Sequence, residues 1–476
     1  MSVIDPRDAR IAELEAALAE RDEIIAGLRT EVAELKRALA VIVERMGRNS
    51  RNSNLPPSSD PPGSRGAGGG GRPRGRRRRG AQPKHPGVRR ELLPPDRVDD
   101  FVHFYPSHCE ECCAPLPETP DPDATRYQVT ELPAFEPHTT EYQRHEVCCG
   151  RCNHKTRAKY DAKAIPTSAF GPRLMSVIAL LTGVFHLSRR KTVDLLADIV
   201  GVRISLGAVS AVEERVSTAV EPAVEEAWDR VSEAEIKHTD GTTWLQAGVI
   251  LSLWTIATAA ATVFKIVGNA RAATLEPLYR GLRGILVSDR ATALGFWAME
   301  RRQICWAHLL RKFVSFEERA GPASALGREL LDYTGIVFEY WHDYRAGKLS
   351  REVFRTWMAA VRPQFEAVLQ RGAASGIELV AGSCKDILEH QAALWTFVDH
   401  EGVEPTNNHA ERELRAFVLW RKRSFGTQSE RGNRFAERLM TVAHTARKQG
   451  TNVLEFLTGS CVAQLDGGKA PSLFAA

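Results

Sequence analysis

Three carboxylates in this 476-residue chain are spaced for metal-assisted phosphate chemistry. Asp240 ends the run that begins at Ile236, Asp289 follows the apolar run Gly284-Ile-Leu-Val-Ser288, and Glu411 stands near the start of the stretch from Pro405 to Gly426. Strand ends in α/β sheets are common positions for reacting groups. Two carboxylates held close together repel and need a cation between them. With Glu411 added, the set can hold two Mg²⁺ or Mn²⁺ ions, hard cations that keep water and substrate oxygens in their shells. Such a pair activates a water or a 3′-hydroxyl and stabilises the leaving oxygen of a phosphodiester. Each acid also has an ordinary use. Asp240 before Gly241 suits a turn, Asp289 before Arg290 a strand-end cap, and Asn408 with Glu411 a capping box.

Cations crowd the same stretches. Arg412, Arg415, Arg421, Lys422 and Arg423 follow Glu411, and Arg311 and Lys312 follow Cys305-Trp-Ala-His308. These are candidate phosphate contacts. Cys305 and His308 supply two metal-ligand types but only two ligands, so they are expected to brace the site or touch DNA. Further upstream lies Arg72-Pro-Arg-Gly-Arg-Arg-Arg-Arg-Gly80, in which Arg76, Arg77, Arg78 and Arg79 should attract a phosphate backbone by counterion release without reading sequence. The net charge is only +5, so this clustering says more about partners than the total does.

Nine cysteines include two Cys-x-x-Cys pairs, Cys109 with Cys112 and Cys149 with Cys152. An odd count in a long chain with a polar amino terminus fits a reducing compartment and metal binding better than a disulfide framework. Two such knuckles supply four thiolates for one tetrahedral, structural Zn²⁺. His108 and His154 are alternative ligands, and Cys113 and Cys148 adjoin the set.

The elements around these residues suggest a multidomain α+β chain. Residues 1–47 carry heptads, with one seam of Ile11, Leu18, Ile25, Val32, Leu39 and Met46 and another of Leu14, Leu28, Leu35 and Ile42 broken only at Arg21. This predicts a coiled coil over 11–46 and a homo-oligomer. Residues 48–90, rich in Asn, Ser, Pro, Gly and Arg, are expected to be a disordered basic linker. Residues 91–165 form the zinc ribbon-like module. Residues 166–230 give two helices separated by Gly201, the second opened by Ser205, a helix-turn-helix region.

Residues 231–430 switch period. Strands are expected at Ile236–Asp240, Val249–Ala257, Ala261–Val267, Gly284–Ser288 and Gln303–Ala307, with helices at Arg271–Leu282 and Leu294–Arg301. That is the ribonuclease-H-like order, in which the first and fourth strands are neighbours and Asp240 meets Asp289. An all-helical insertion at about 314–400 precedes Glu411, and residues 431–476 form C-terminal helices and a tail. The most apolar run, Ala247 to Phe264, is broken by Ser252, Thr255, Thr258 and Thr262 and suits two antiparallel strands better than a membrane span. The start lacks the apolar core of a signal peptide. A cytoplasmic, bacterial protein without a membrane partner is expected.

The whole chain resembles transposases of the insertion-sequence-66 family. The resemblance is carried by the heptads, Asn49-Ser-Arg-Asn-Ser-Asn-Leu-Pro-Pro-Ser-Ser-Asp60 and the paired Cys-x-x-Cys module. Further motifs are Thr239-Asp-Gly-Thr-Thr-Trp244, Leu286-Val-Ser-Asp-Arg290, Cys305-Trp-Ala-His-Leu-Leu-Arg-Lys-Phe313, Asn407-Asn-His-Ala-Glu-Arg-Glu-Leu-Arg415, Arg421-Lys422 and Thr445-Ala-Arg-Lys-Gln-Gly450. It implies a DDE transposase acting on the double-stranded DNA of element ends and target, with Asp240, Asp289 and Glu411 as metal ligands and Glu413 as the other candidate for the third acid. Accessory proteins of the element are plausible partners on the same ground. The chain departs from the family at Gly241, where members often carry an acid, and at Cys113, where the knuckle usually ends in Gly. The competing functions are a related metal-dependent nuclease and a non-catalytic DNA-binding repressor derived from a transposase.

Overall fold

The structure is a computed structural model that describes residues 6–53, 90–159 and 168–474. The arginine tract with Arg76, Arg77, Arg78 and Arg79, and most of the expected linker, lie outside the described residues. The chain starts with one long helix, α1 (Pro6–Gly47). Its seam residues Leu14, Leu18, Ile25, Leu28, Val32, Leu35, Leu39, Ile42 and Met46 are all exposed in the single chain. The cysteine module follows, with a short antiparallel pair, β1 (Glu146–Cys148) and β2 (Lys155–Arg157), in which Cys148 faces Lys155.

Helices α2 (Pro172–Ala179), α3 (Arg189–Leu195), α4 (Leu206–Ala219) and α5 (Glu221–Glu233) come next. Ser188 and Ser205 cap α3 and α4 by accepting hydrogen bonds from the Lys191 and Ala208 amides. Gly201, at φ 75°, ends the first of these two helical segments in the left-handed conformation that glycine tolerates best.

The sheet then forms from β3 (Ile236–Gln246), β4 (Val249–Ala257), β5 (Thr262–Val267), α6 (Ala272–Tyr279), β6 (Ile285–Ser288) and β7 (Arg302–Ile304). Its order is β5-β4-β3-β6-β7, so β3 and β6 are neighbours and run parallel. Three expectations are corrected. Asp240 does not close its strand: β3 runs on to Gln246 and pairs antiparallel with β4 across a turn in which Ala247 and Gly248 both have positive φ. This is the geometry that matches strand twist in a two-residue hairpin. The helix expected at Leu294–Arg301 is two short 3₁₀ turns, Thr292–Leu294 and Met299–Arg301, with Gly295 between them. The last strand stops at Ile304, because Cys305 caps a helix that starts at Trp306.

The helical segment comprises α7 (Trp306–Glu317), α8 (Pro322–Arg345), α9 (Arg351–Ala373), α10 (Glu378–Glu389) and α11 (Thr396–Asp399). The chain returns through α12 (Asn408–Ser424), α13 (Glu430–Lys448) and α14 (Val453–Asp466). Apolar burial divides into two cores. One joins α2, α4 and α5 with α12, α13, α14 and the sheet, through residues such as Val212, Phe264, Leu286, Phe417 and Leu439. The other packs the helical segment around Trp306, Phe365 and Phe397 and includes Val287 and Ile304. Adjacent residues of β6, Leu286 and Val287, thus feed opposite cores, and Asp289 directly follows the end of the strand.

Candidate functional site

Parallel pairing between β3 and β6 stops at His238 and Val287. Asp240 and Asp289 lie just beyond that point, where the two neighbouring strands no longer hydrogen-bond to each other. Each carboxylate is fixed locally: Asp240 Oδ1 accepts from the Gly241 amide at 2.9 Å and Asp289 Oδ1 from the Ala291 amide at 2.9 Å. Behind Asp289 stands a fully buried cation that sequence reasoning missed. Arg302 donates to the Asp289 carbonyl at 2.8 Å and to Ser288 Oγ at 3.0 Å. Its only sequence signal is its place at a strand start, which does not distinguish it from the basic residues around it.

Glu411 arrives from the first turn of α12. Asn407, not Asn408, precedes that helix, and it makes no side-chain cap. Its buried side chain instead donates to the Thr239 carbonyl at 2.7 Å, and its amide donates to Cys305 Sγ at 3.1 Å. One asparagine therefore ties the helix that carries Glu411 to the strand that carries Asp240. A third tie runs from the Trp306 amide to the Pro405 carbonyl at 2.8 Å.

The three acids share an electrostatic neighbourhood. Burial, reinforced by the charges of Asp289 and Glu411, pushes Asp240 up to about 8. A carboxyl raised by burial and by neighbouring carboxylates is a functional-site candidate. Glu411 also has its Oε1 buried and without a hydrogen bond. The donor set fits hard divalent ions in kind, since it is all carboxylate oxygen. Arg311 Nη2 lies 3.7 Å from Glu411 Oε2, and His308 Nε2 lies 3.8 Å from Glu411 Oε1.

Glu413 faces elsewhere. It pairs with His444, with Lys448 at 3.1 Å and with His409 at 3.5 Å. Burial works against its charge, but hydrogen bonds from His409 and His444 and the charge of Lys448 hold it well below the usual carboxylate range. It therefore stands apart from the site as a half-buried ion-pair partner.

Gly241 is filled from outside. A Cβ built there would lie 2.8 to 3.0 Å from the Trp254 indole. The tryptophan occupies the space that a larger residue after Asp240 would need.

The basic candidates divide. Arg412 and Arg415 are exposed along α12. Arg421 is turned onto β3, where it donates to the Thr243 carbonyl and to the Thr242 and Thr243 hydroxyls at 3.2 and 2.7 Å, so it braces helix to sheet. Lys312 stacks over the Phe316 ring at 5.7 Å, and Lys422 is exposed at the end of α12.

In the cysteine module the two knuckles have matching turns. The Cys113 amide donates to the Cys109 carbonyl and the Asn153 amide to the Cys149 carbonyl, with Cys113 at φ 57° and Asn153 at φ 58°. Cys113 thus adopts the left-handed conformation that a glycine would take at no cost. The amides of Cys112 and Glu111 hold the Cys109 thiol below its usual range, and those of Arg151 and Cys152 do the same for Cys149. Two pairs of cysteine sulfurs, with ionisation eased at Cys109 and Cys149, suit zinc in number and kind. Each knuckle brings its own two thiols together, but the four are not gathered into one cage here. Among the described residues, the group of metal-ligand side chains with atoms all within 4.8 Å of one another is Cys305, His308 and Glu411.

A family model described as Transposase IS66 family matches residues 167–434, a span that includes all three acids. A second model, a family of unknown function, matches residues 3–91. A curated relative, the uncharacterized protein y4qI of Sinorhizobium fredii, is 28% identical over 163 residues, which is 32% of this chain and 29% of that protein. The chain therefore spans less than a third of that relative's length. Among the described residues no helix is long and apolar enough to cross a membrane.

Proposed function

The chain belongs to the IS66 family of transposases, and from that premise we propose that it cleaves and joins DNA strands at the ends of an insertion sequence through Asp240, Asp289 and Glu411. What carries this reading is that acids from β3, the end of β6 and α12 share one electrostatic neighbourhood, in which burial first and then the charges of Asp289 and Glu411 raise Asp240. Asp240, Asp289 and Glu411 would hold Mg²⁺ or Mn²⁺, which when bound would supply Lewis acidity to an attacking water or 3′-hydroxyl and to the leaving oxygen. The protein's own part is positioning. Asn407 locks α12 to β3, Arg302 fixes the backbone at Asp289, and Arg311 offers a cation beside Glu411 for a phosphodiester. The topology β5-β4-β3-β6-β7, with acids beyond the parallel pair, supports assignment to the ribonuclease-H-like class.

DNA would be held by Arg412, Arg415, Lys312 and Lys422 around the acids, by the arginine tract, and by α3 and α4 as a helix-turn-helix. Four thiolates from Cys109, Cys112, Cys149 and Cys152 would bind one structural Zn²⁺. The exposed apolar seam of α1 fits a second copy of the chain as a coiled coil, which would bring two DNA ends together.

The test is incubation of the full chain with DNA carrying its element's ends and Mg²⁺ or Mn²⁺, beside Asp289→Ala. Metal-dependent cleavage lost in the variant supports the reading. DNA binding without cleavage under either metal would replace it with the repressor.

A further inference from the structure

We propose that Cys305, His308 and Glu411 form a binding site for a transition-metal ion of the zinc class, distinct in chemistry from the carboxylate set and sharing Glu411 with it. Their ligand atoms lie within 4.8 Å of one another. Cys305 precedes α7 and His308 lies one turn in, so the Cys-x-x-His spacing puts both on one side of the helix start. Glu411 closes the group from α12.

The polar atoms here are poised for a ligand the protein itself does not supply. Glu411 Oε1 and His308 Nδ1 are buried and make no hydrogen bond. His308 Nε2 and Glu411 Oε1 stand 3.8 Å apart, too far for a hydrogen bond. Two ligands on one tetrahedral zinc are separated by roughly 3.4 Å at ordinary bond lengths, so a small closing movement accommodates an ion between them. Arg311 sits against the other oxygen, Oε2, and leaves Oε1 for the ion. The buried Cys305 sulfur accepts the Asn407 amide at 3.1 Å, an outer-shell contact of the kind that orients a thiolate ligand.

The ligand types select the metal. A thiolate and an imidazole favour zinc or cobalt over magnesium, which seeks oxygen. Three protein ligands leave a fourth position for water or a phosphate oxygen, reached from the partly exposed Glu411 side. One consequence rests on the proposed function: an ion held here draws Glu411 from Asp240 and Asp289, so zinc opposes cleavage supported by magnesium.

The experiment counts metal and does not depend on activity. Full-length protein is stripped with a chelator and saturated anaerobically with Co²⁺. Bound cobalt is measured by elemental analysis, and thiolate-to-cobalt charge transfer by near-ultraviolet absorption. The wild type should hold one more cobalt per chain than either Cys305→Ser or His308→Gln, and a Cys109→Ser/Cys149→Ser variant should keep that ion. Equal cobalt in wild type, Cys305→Ser and His308→Gln, with melting curves confirming that at least His308→Gln is folded, overturns the site. An inactive wild type that still shows the one-cobalt difference would sink the catalytic reading alone. Loss of the difference with cleavage intact would sink the metal site alone.

Discussion

Glu411 and Glu413, two residues apart on α12, serve opposite environments. Glu411 faces His308 and Arg311 beside the Asp240 and Asp289 carboxylates, while Glu413 is enclosed by His409, His444 and Lys448. Two residues on an α-helix are separated by about 200° at 3.6 residues per turn. The buried anchoring of one glutamate therefore helps fix the direction of the other. Lys448 extends the anchor by donating to the Thr258 carbonyl at 2.7 Å, which joins α13 to the end of β4.

The two glutamates should separate experimentally. Glu411→Gln is expected to abolish metal-dependent cleavage with little change in melting temperature, since its own Oε1 lacks a hydrogen bond. Glu413→Gln leaves the half-buried Lys448 without its carboxylate, and breaking such an enclosed pair costs about 3 kcal/mol. Urea denaturation of both variants checks this. Equal stability losses would show that Glu413 is not a structural anchor.

Gly241→Asp tests the space beside Asp240. The added Cβ meets Trp254, and overpacking of this kind costs roughly 1–3 kcal/mol. Combining it with Trp254→Val should give less destabilisation than the sum of the single changes, since the two sites are in contact. A double-mutant cycle by chemical denaturation measures the coupling. Strict additivity would mean that the indole does not exclude a side chain here.

Much of this arrangement was legible because local signals and tertiary structure agree. Val249–Ala257 is recovered as a strand to the residue, its β-branched and aliphatic run bounded by Gly248. The extension of β3 past Asp240 was not legible, because Gly241-Thr-Thr looks like a turn and the Ala247-Gly248 hairpin lacks the usual Asn or Asp. The end of β7 at Ile304 depends on long-range bonds, Cys305 amide to Ser288 carbonyl and Trp306 amide to Pro405 carbonyl, that no local pattern encodes. For the same reason periodicity could not separate Glu411 from Glu413. The residues that decide between them, His444 and Lys448, lie some thirty residues downstream on α13.

Asp240 makes stability depend on pH with a definite sign. Its folded-state value, about 8, lies above the ordinary aspartate value of 3.8. Between those two pH values the folded state holds a proton that the unfolded state has lost, so stability falls as pH rises through the window. Melting temperatures of wild type and Asp240→Asn should diverge from pH 4 to 8, with the wild type losing ground. Magnesium should restore the wild type most at pH 8, because binding to the ionised folded state offsets the repulsion. Parallel melting profiles for the two proteins would show that Asp240 ionises normally.

The cysteine module should depend on metal for its fold far more than the sheet does. Most of its described residues are exposed, including large apolar ones such as Phe104 and Tyr127, so little buried apolar surface holds it. The zinc proposed for the four thiolates would then supply most of its folding free energy. Cys149→Ser, or treatment with a strong chelator, is expected to release one zinc per chain and to open residues 90–159 to limited proteolysis. The two apolar cores share no cysteine of either knuckle, so the main thermal transition should move by no more than a degree or two. Mass spectrometry of the proteolytic fragments, with zinc measured by a colorimetric dye, checks both halves. Resistance of the metal-free module to protease would mean that its turns, set by Cys113 and Asn153, suffice to hold it without an ion.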